Sequence, residues 1–196
     1  TYTALRFPSL VLECDNDVAE KLIEYAPKNQ FIMHIRPNLL PIVKSRFSSA
    51  KHYVEDWMLV KKGEAKLFES ELVYRLHTAN DAAKLAMLLS TREDRPRETP
   101  KECMAQISRK PTYGVLMGDE LVSYASSFIH LPQVWMIGGV YTHPNHRKKG
   151  YATLATSAVT KEALKNAETA ALFVRSDNYP AIRVYEKIGY KKIGEE

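Results

Sequence analysis

The chain has 196 residues, 45% of them hydrophobic and 26% charged, with a formal net charge of +5 and two cysteines. That length can bury a core without disulfide help, and that composition excludes a disordered chain. No apolar run reaches the ~20 residues that span a bilayer, no signal-peptide pattern stands at the start, and Cys14 and Cys103 lack Cys-x-x-Cys or His companions. The expectation is therefore a cytoplasmic protein with no membrane partner, no disulfide framework and no zinc site.

Residues 1–69 read as a small N-terminal α/β lobe. Asp15-Asn16-Asp17 can cap a helix carrying Val18, Leu22, Ile23 and Ala26 on one side, stopped by Pro27. Phe31 to Ile35 is a strand candidate, Leu39 to Phe47 a helix with Pro41 in its first turn, and His52 to Val60 a second strand candidate. A lysine-rich hairpin or linker follows at Lys61-Lys62-Gly63-Glu64, and no motif in this lobe carries chemistry.

From Leu72 the pattern sharpens into a second unit, residues 70–196. Leu72 to Leu76 is a strand leading to a helix from about Asn80 to Leu89, with Thr78 or Asn80 as its cap. Thr91 to Thr99 is a charged loop of the kind that lies over a substrate site. Thr99-Pro100-Lys101-Glu102 then has the Thr, Pro and Glu of a capping box at a helix start. Tyr113 to Met117, Leu121 to Ile129 and Gln133 to Tyr141 form a β-meander, the first two joined by a tight Gly118-Asp119-Glu120 turn. A helix from about Gly150 to Asn166 buries Tyr151, Leu154, Ala155, Ala158 and Val159, and Ala170 to Arg175 is a strand. Tyr179 to Ile188 is a helix between Asn178-Pro180 and Gly189, and Tyr190 to Ile193 is a last strand.

The stretch from Ile137 to Ala152 best indicates chemistry. A buried strand runs through a basic turn, Arg147-Lys148-Lys149-Gly150, into the first turn of a helix. Unpaired N–H groups at the positive end of a helix dipole suit a phosphate or pyrophosphate. The other basic groups, Lys61-Lys62 and Lys191-Lys192 among them, are dispersed and read as a solvated face rather than a nucleic-acid footprint.

Two motifs carry a family resemblance. Arg147-Lys148-Lys149-Gly150-Tyr151-Ala152 resembles the acetyl-CoA signature of the GNAT superfamily of N-acetyltransferases: Arg or Gln, two residues, Gly, one residue, then Gly or Ala. Downstream, Asn178-Tyr179-Pro180-Ala181-Ile182-Arg183-Val184-Tyr185-Glu186-Lys187-Ile188-Gly189-Tyr190 is similar to the family's Asn, Ala, Tyr and Gly-aromatic pattern. The resemblance covers about residues 70–196. It implies an α/β (α+β) fold with a mixed, mostly antiparallel central sheet flanked by helices, to which the N-terminal lobe is added.

The resemblance also implies roles. Backbone N–H groups from Arg147, Lys148, Lys149, Gly150, Tyr151 and Ala152 would hold the CoA pyrophosphate, while Val140 and Thr142 would pair through their main chain with the pantetheine arm. In the family the cofactor strand and the next one splay apart, and Gly138-Gly139 would mark a bulge that helps. Asn178 would contact the pantetheine or orient its loop, and Tyr185 would protonate the departing CoA thiolate. The bland readings are a helix cap for Asn178, a core tyrosine for Tyr185 and a solvated turn for Arg147 to Lys149.

The general base stays unassigned among Glu98, Glu102, Glu120, His130 and His143; Glu102 reads better as a capping-box residue and Glu120 as a hairpin-turn charge. His143 and His146 read as loop surface, with no metal expected. The resulting expectation is transfer of an acetyl or acyl group from acetyl-CoA to an amine of a small molecule or peptide, directly and within a ternary complex. The alternative is a non-catalytic acyl-CoA-binding or sensing module. The N-terminal lobe could pack on the catalytic unit, cover the acceptor cleft or support a homodimer.

Overall fold

The computed structural model describes residues 9–93 and 96–195, so part of the expected Thr91 to Thr99 loop and the first residues of the expected N-terminal lobe lie outside it. Strands β1 (Ser9–Leu12) and β2 (Ile32–Ile35) form a two-stranded parallel sheet. Between them lies α1 (Asn16–Leu22), where the Asp15 carbonyl accepts the first N–H groups, from Val18 and Ala19. A 3₁₀ turn at Ile23–Tyr25 ends this helix just before Pro27, as the proline requires. Helix α2 (Leu40–Arg46) has Pro41 in its first turn, where a missing N–H costs nothing.

Strand β3 (Glu55–Lys61) alternates partly buried and buried residues, with Asp56, Met58 and Val60 on the inner face. It does not stay with the N-terminal elements. It pairs antiparallel with β8 (Thr169–Arg175) on one side, from Glu55 opposite Arg175 to Lys61 opposite Thr169, and with β9 (Lys191–Glu195) on the other. The sheet therefore crosses the sequence division expected at residues 69 and 70. Lys61 to Glu64 makes no hairpin with the next strand, β4 (Val73–Arg75); it opens a connection in which Lys66 N–H donates to the Ile188 carbonyl.

Helices α3 (Ala79–Ser90) and α4 (Pro100–Ile107) both begin with complete capping boxes, Thr78 with Asp81 and Thr99 with Glu102. Strands β5 (Thr112–Met117), β6 (Glu120–His130) and β7 (Val134–Thr142) form the expected meander, and α5 (Tyr151–Asn166), β8, α6 (Tyr179–Ile188) and β9 complete the chain. The seven-stranded order is β4-β5-β6-β7-β8-β3-β9, antiparallel at every pair except β7-β8. The expected mixed, mostly antiparallel sheet flanked by helices is thus what forms.

Alternation along β6 sends neighbours to opposite cores. Val122 packs with Met58, Val60, Ile137 and Leu172 beneath Ala155 and Val159 of α5 and Tyr185 and Ile188 of α6. Leu121 packs with Leu76 beneath Leu85, Leu88 and Leu89 of α3 and Cys103 and Ile107 of α4. No helix among the described residues is long and apolar enough to cross a membrane.

Candidate functional site

The parallel pair at the sheet centre is paired at one end only. Val134, Trp135 and Met136 face Thr169, Ala170 and Ala171, and there the β7-β8 pairing stops. Beyond it β7 stays bonded to β6 as far as Thr142, while β8 stays bonded to β3 as far as Arg175, so a gap opens between strands anchored on their outer sides. The cause is local. The β6-β7 register shifts between Tyr124 and Ser126 and again between Ser127 and Ile129. Gly139, inside the first shift, has a φ of 65°, and a Cβ there would lie 2.9 Å from Ser126 Oγ. Such bulges add twist and turn a strand away from its neighbour.

Ladder alternation then fixes which main-chain groups face the gap. His143 N–H donates to the Val122 carbonyl at 2.9 Å, so the groups of Tyr141 also face β6. Thr142, one residue before His143, points the other way, and its carbonyl accepts from Arg147 Nε rather than from β6; Val140 lies within the first register shift.

At the end of β7, a 3₁₀ turn at Pro144–His146 leads to extended Arg147, then Lys148 at φ 62° and Gly150 at φ 86°. Left-handed residues interleaved with ordinary ones turn successive N–H groups toward one side, the arrangement of an anion-binding nest. Helix α5 begins at Tyr151 with no side-chain cap. Among the described residues, nothing accepts a hydrogen bond from the N–H groups of residues 148–153. A Cβ on Gly150 would meet no atom within 4 Å. Arg147 Nε donates to the Thr142 carbonyl at 3.4 Å and its guanidinium lies 5.9 Å from the Tyr141 ring centre. Lys148 and Lys149 are exposed, while Tyr151 and Ala152 are half-buried, Tyr151 against the α5 core. Uncapped N–H groups, three basic side chains and the start of a 16-residue helix fit a phosphate group.

Asn178 is exposed and caps α6, its Oδ1 accepting from Ala181 N–H at 3.4 Å. Tyr185, two turns into α6, is 7% exposed and its ring centre lies 6.0 Å from that of Tyr190. Tyr190 shares a 2.7 Å hydrogen bond with Thr160, whereas the Tyr185 hydroxyl bonds no described residue. Burial pushes the Tyr185 hydroxyl up to about 12, so it stays protonated at neutral pH.

The candidate bases are scattered. Glu102 is held in its capping box, its carboxylate accepting Thr99 N–H at 2.7 Å. Glu98 lies 4.0 Å from Cys103 Sγ. His130 Nε2 sits 2.8 Å from Ser127 Oγ, its pKa lowered by burial and by Lys110. Glu120 and His143 meet His146 beside the basic turn. One residue that sequence reasoning passed over is Tyr141, whose hydroxyl donates to the Thr91 carbonyl at 3.1 Å and whose ring carries Arg92 at 5.1 Å. It ties the loop after α3 to the edge of the gap, a long-range contact with no local signal.

Residues 112–196 match the FR47-like protein family. No curated protein matches the chain. Among solved structures it is similar to a GNAT-family protein from Novosphingobium aromaticivorans, with a TM-score of 0.61 and 22% identity over 73% of this chain and 61% of that one. A Drosophila protein superposes with a TM-score of 0.68 at 18% identity, over 96% of this chain and 68% of that one. A GCN5-related N-acetyltransferase from Kribbella flavida gives 0.58 and 20%, over 81% of this chain and 62% of that one. The chain spans about three fifths to two thirds of the length of these relatives. The chain therefore shares its fold with these GNAT-family structures, and its residues 112–196 match the FR47-like family.

Proposed function

We propose that the chain is an N-acyltransferase that takes an acetyl or longer acyl group from acetyl-CoA or a related thioester and passes it directly to an amine. The observation that carries this reading is the meeting of the β7-β8 gap with an uncapped, basic helix start at its mouth. An extended thioester carrier with a phosphate-bearing end suits both features at once.

In this reading the N–H groups of residues 148–153 and the side chains of Arg147, Lys148 and Lys149 hold the pyrophosphate. The main-chain groups of Val140 and Thr142 pair with the amides of the pantetheine arm as with an added strand, Arg147 releasing the Thr142 carbonyl to do so. Asn178 caps α6 and thereby fixes the loop that borders the gap. The amine attacks the thioester carbonyl, the C–S bond breaks, and the Tyr185 hydroxyl donates to the departing thiolate. Burial that keeps this hydroxyl protonated also makes a thiolate beside it a stronger base than in water, which favours the transfer.

Direct transfer is favoured over an acyl-cysteine. Cys103 is fully buried, and burial together with Glu98 and Glu102 pushes its thiol up to about 12, leaving negligible thiolate. We further propose that the N-terminal elements border the acceptor entrance. His34 of β2 lies 6.1 Å from Phe173, which alternation places on the face of the sheet away from α5, where the α3-α4 layer leaves β8 uncovered.

The test is a CoA-release assay over amines, amino acids, polyamines and peptide N-termini. At least one class should give saturable turnover that falls at least about tenfold in Tyr185→Phe with donor affinity unchanged. Turnover equal to wild type in Tyr185→Phe would remove the acid role.

A further inference from the structure

We infer that Glu120, His143 and His146 form a binding site for a divalent transition-metal ion of the zinc type, beside the basic turn. The sequence places His143 and His146 three apart, a spacing that on a strand would put them on opposite faces. Here they flank and end the 3₁₀ turn at Pro144–His146. With three residues per turn, positions i and i+3 eclipse, so the two imidazoles stand on one side with ring centres 5.5 Å apart.

The β6-β7 ladder adds the third group. Ser123 pairs with Thr142 and His143 N–H donates to Val122, which brings the start of β6 alongside the turn. Glu120 Oε2 consequently lies 3.7 Å from His146 Nε2, and one donor atom from each of the three side chains lies within 4.8 Å of the others. Donors on a single tetrahedral zinc sit ~3.3 Å apart, given Zn–N and Zn–O lengths of ~2.0–2.1 Å. The remaining difference is within reach of side-chain torsions, because the backbone is already fixed by the ladder and the turn.

The donor chemistry selects the class of ion. Two imidazoles and one carboxylate suit zinc, and also cobalt or nickel, over the all-oxygen preference of magnesium or calcium, and they leave coordination positions open. On His146 the ring atom turned toward Glu120 is Nε2, while Nδ1 is shielded from solvent with no hydrogen-bond partner among the described residues. A bound ion would fix this ring, which already rests 6.3 Å from Tyr151 at the start of α5. It would pin the turn to β6 one residue before Arg147, setting the geometry of the basic turn and adding positive charge beside it. The inference does not depend on the acyl-transfer reading, since it concerns the ion alone.

The experiment is calorimetric titration of the metal-free protein with zinc chloride, paired with visible absorption on addition of cobalt(II). Wild type should bind one zinc saturably, and Glu120→Gln should raise the Kd at least about tenfold, as loss of a directly coordinating group should exceed the 10–100-fold typical of outer-shell changes at its lower bound. His143→Asn with His146→Asn should abolish both the zinc isotherm and the cobalt absorption. Absence of saturable zinc binding to wild type overturns the inference. So does unchanged binding in Glu120→Gln, an isosteric change at an exposed position that decides the matter even if the double variant fails to fold.

Discussion

Two glycines and one arginine at the candidate site can each be tested by a single substitution, for different reasons. Gly139 sits at φ 65° against Ser126 Oγ, so Gly139→Ala adds both backbone strain and a contact at 2.9 Å. A loss of about 1–3 kcal/mol is expected in urea denaturation, together with weaker donor binding if the bulge that opens the gap relaxes. Gly150 has open space around it, so its substitution costs only the left-handed conformation, about 1–2 kcal/mol, and any larger effect on donor affinity reports a lost approach to the phosphate. Arg147 is already turned onto the Thr142 carbonyl and the Tyr141 ring. Arg147→Ala should raise the acetyl-CoA Kd by roughly 10- to 100-fold, as expected for a charge-assisted hydrogen bond worth ~1.5–3 kcal/mol, while leaving thermal stability nearly unchanged. Calorimetry and a melting curve on one sample check both halves.

Elements were legible where their signals are local. Thr99, Pro100 and Glu102 announce α4 within four residues, and the capping box is present as read. Thr78 proves to be the cap of α3, chosen over Asn80 because Asp81 completes the reciprocal bond. Burial alone would raise the Asp81 carboxyl, but the N–H groups of His77 and Thr78 and the hydroxyls of Thr78 and Tyr74 outweigh it and hold the pKa below its ordinary 3.8. A group whose folded pKa is depressed contributes fully above the unfolded value and loses that contribution as pH falls through the folded one. Stability should therefore drop from about pH 4 downward, and Asp81→Asn should be less stable at pH 7 with a shallower acid limb in denaturant titrations at stepped pH. What was not legible is pairing between distant segments. β1 is four residues long and finds its partner past a helix, and β3 reads as a strand without declaring that β8 and β9 are its neighbours. Glu120 likewise joins His143 and His146 only through the β6-β7 register.

For the whole molecule, the consequence is that the sequence division at residues 69 and 70 does not separate two sheets. β3 supplies the seam between β8 and β9, matched over seven residues to β8. A chain cut to residues 70–196 should aggregate or fail to fold, since two strands would be left with open inner edges and Met58 and Val60 would leave the core. A well-dispersed spectrum and a cooperative melt from that fragment would contradict this. The basic turn reads as a candidate anion site because its chemistry is contiguous, and the second motif suggests a thioester carrier by resemblance alone. The gap that would admit the carrier was expected from the family, and Gly138-Gly139 signals the first of the two register shifts against β6, whereas the second, between Ser127 and Ile129, has no such local signal. The acceptor was legible in neither, because the entrance proposed for it would be assembled from segments distant in sequence. If the gap and the basic turn together hold a CoA thioester, isothermal titration with acetyl-CoA should give saturable one-to-one binding accompanied by a rise in melting temperature; a flat titration and an unmoved melting temperature would rule such a site out.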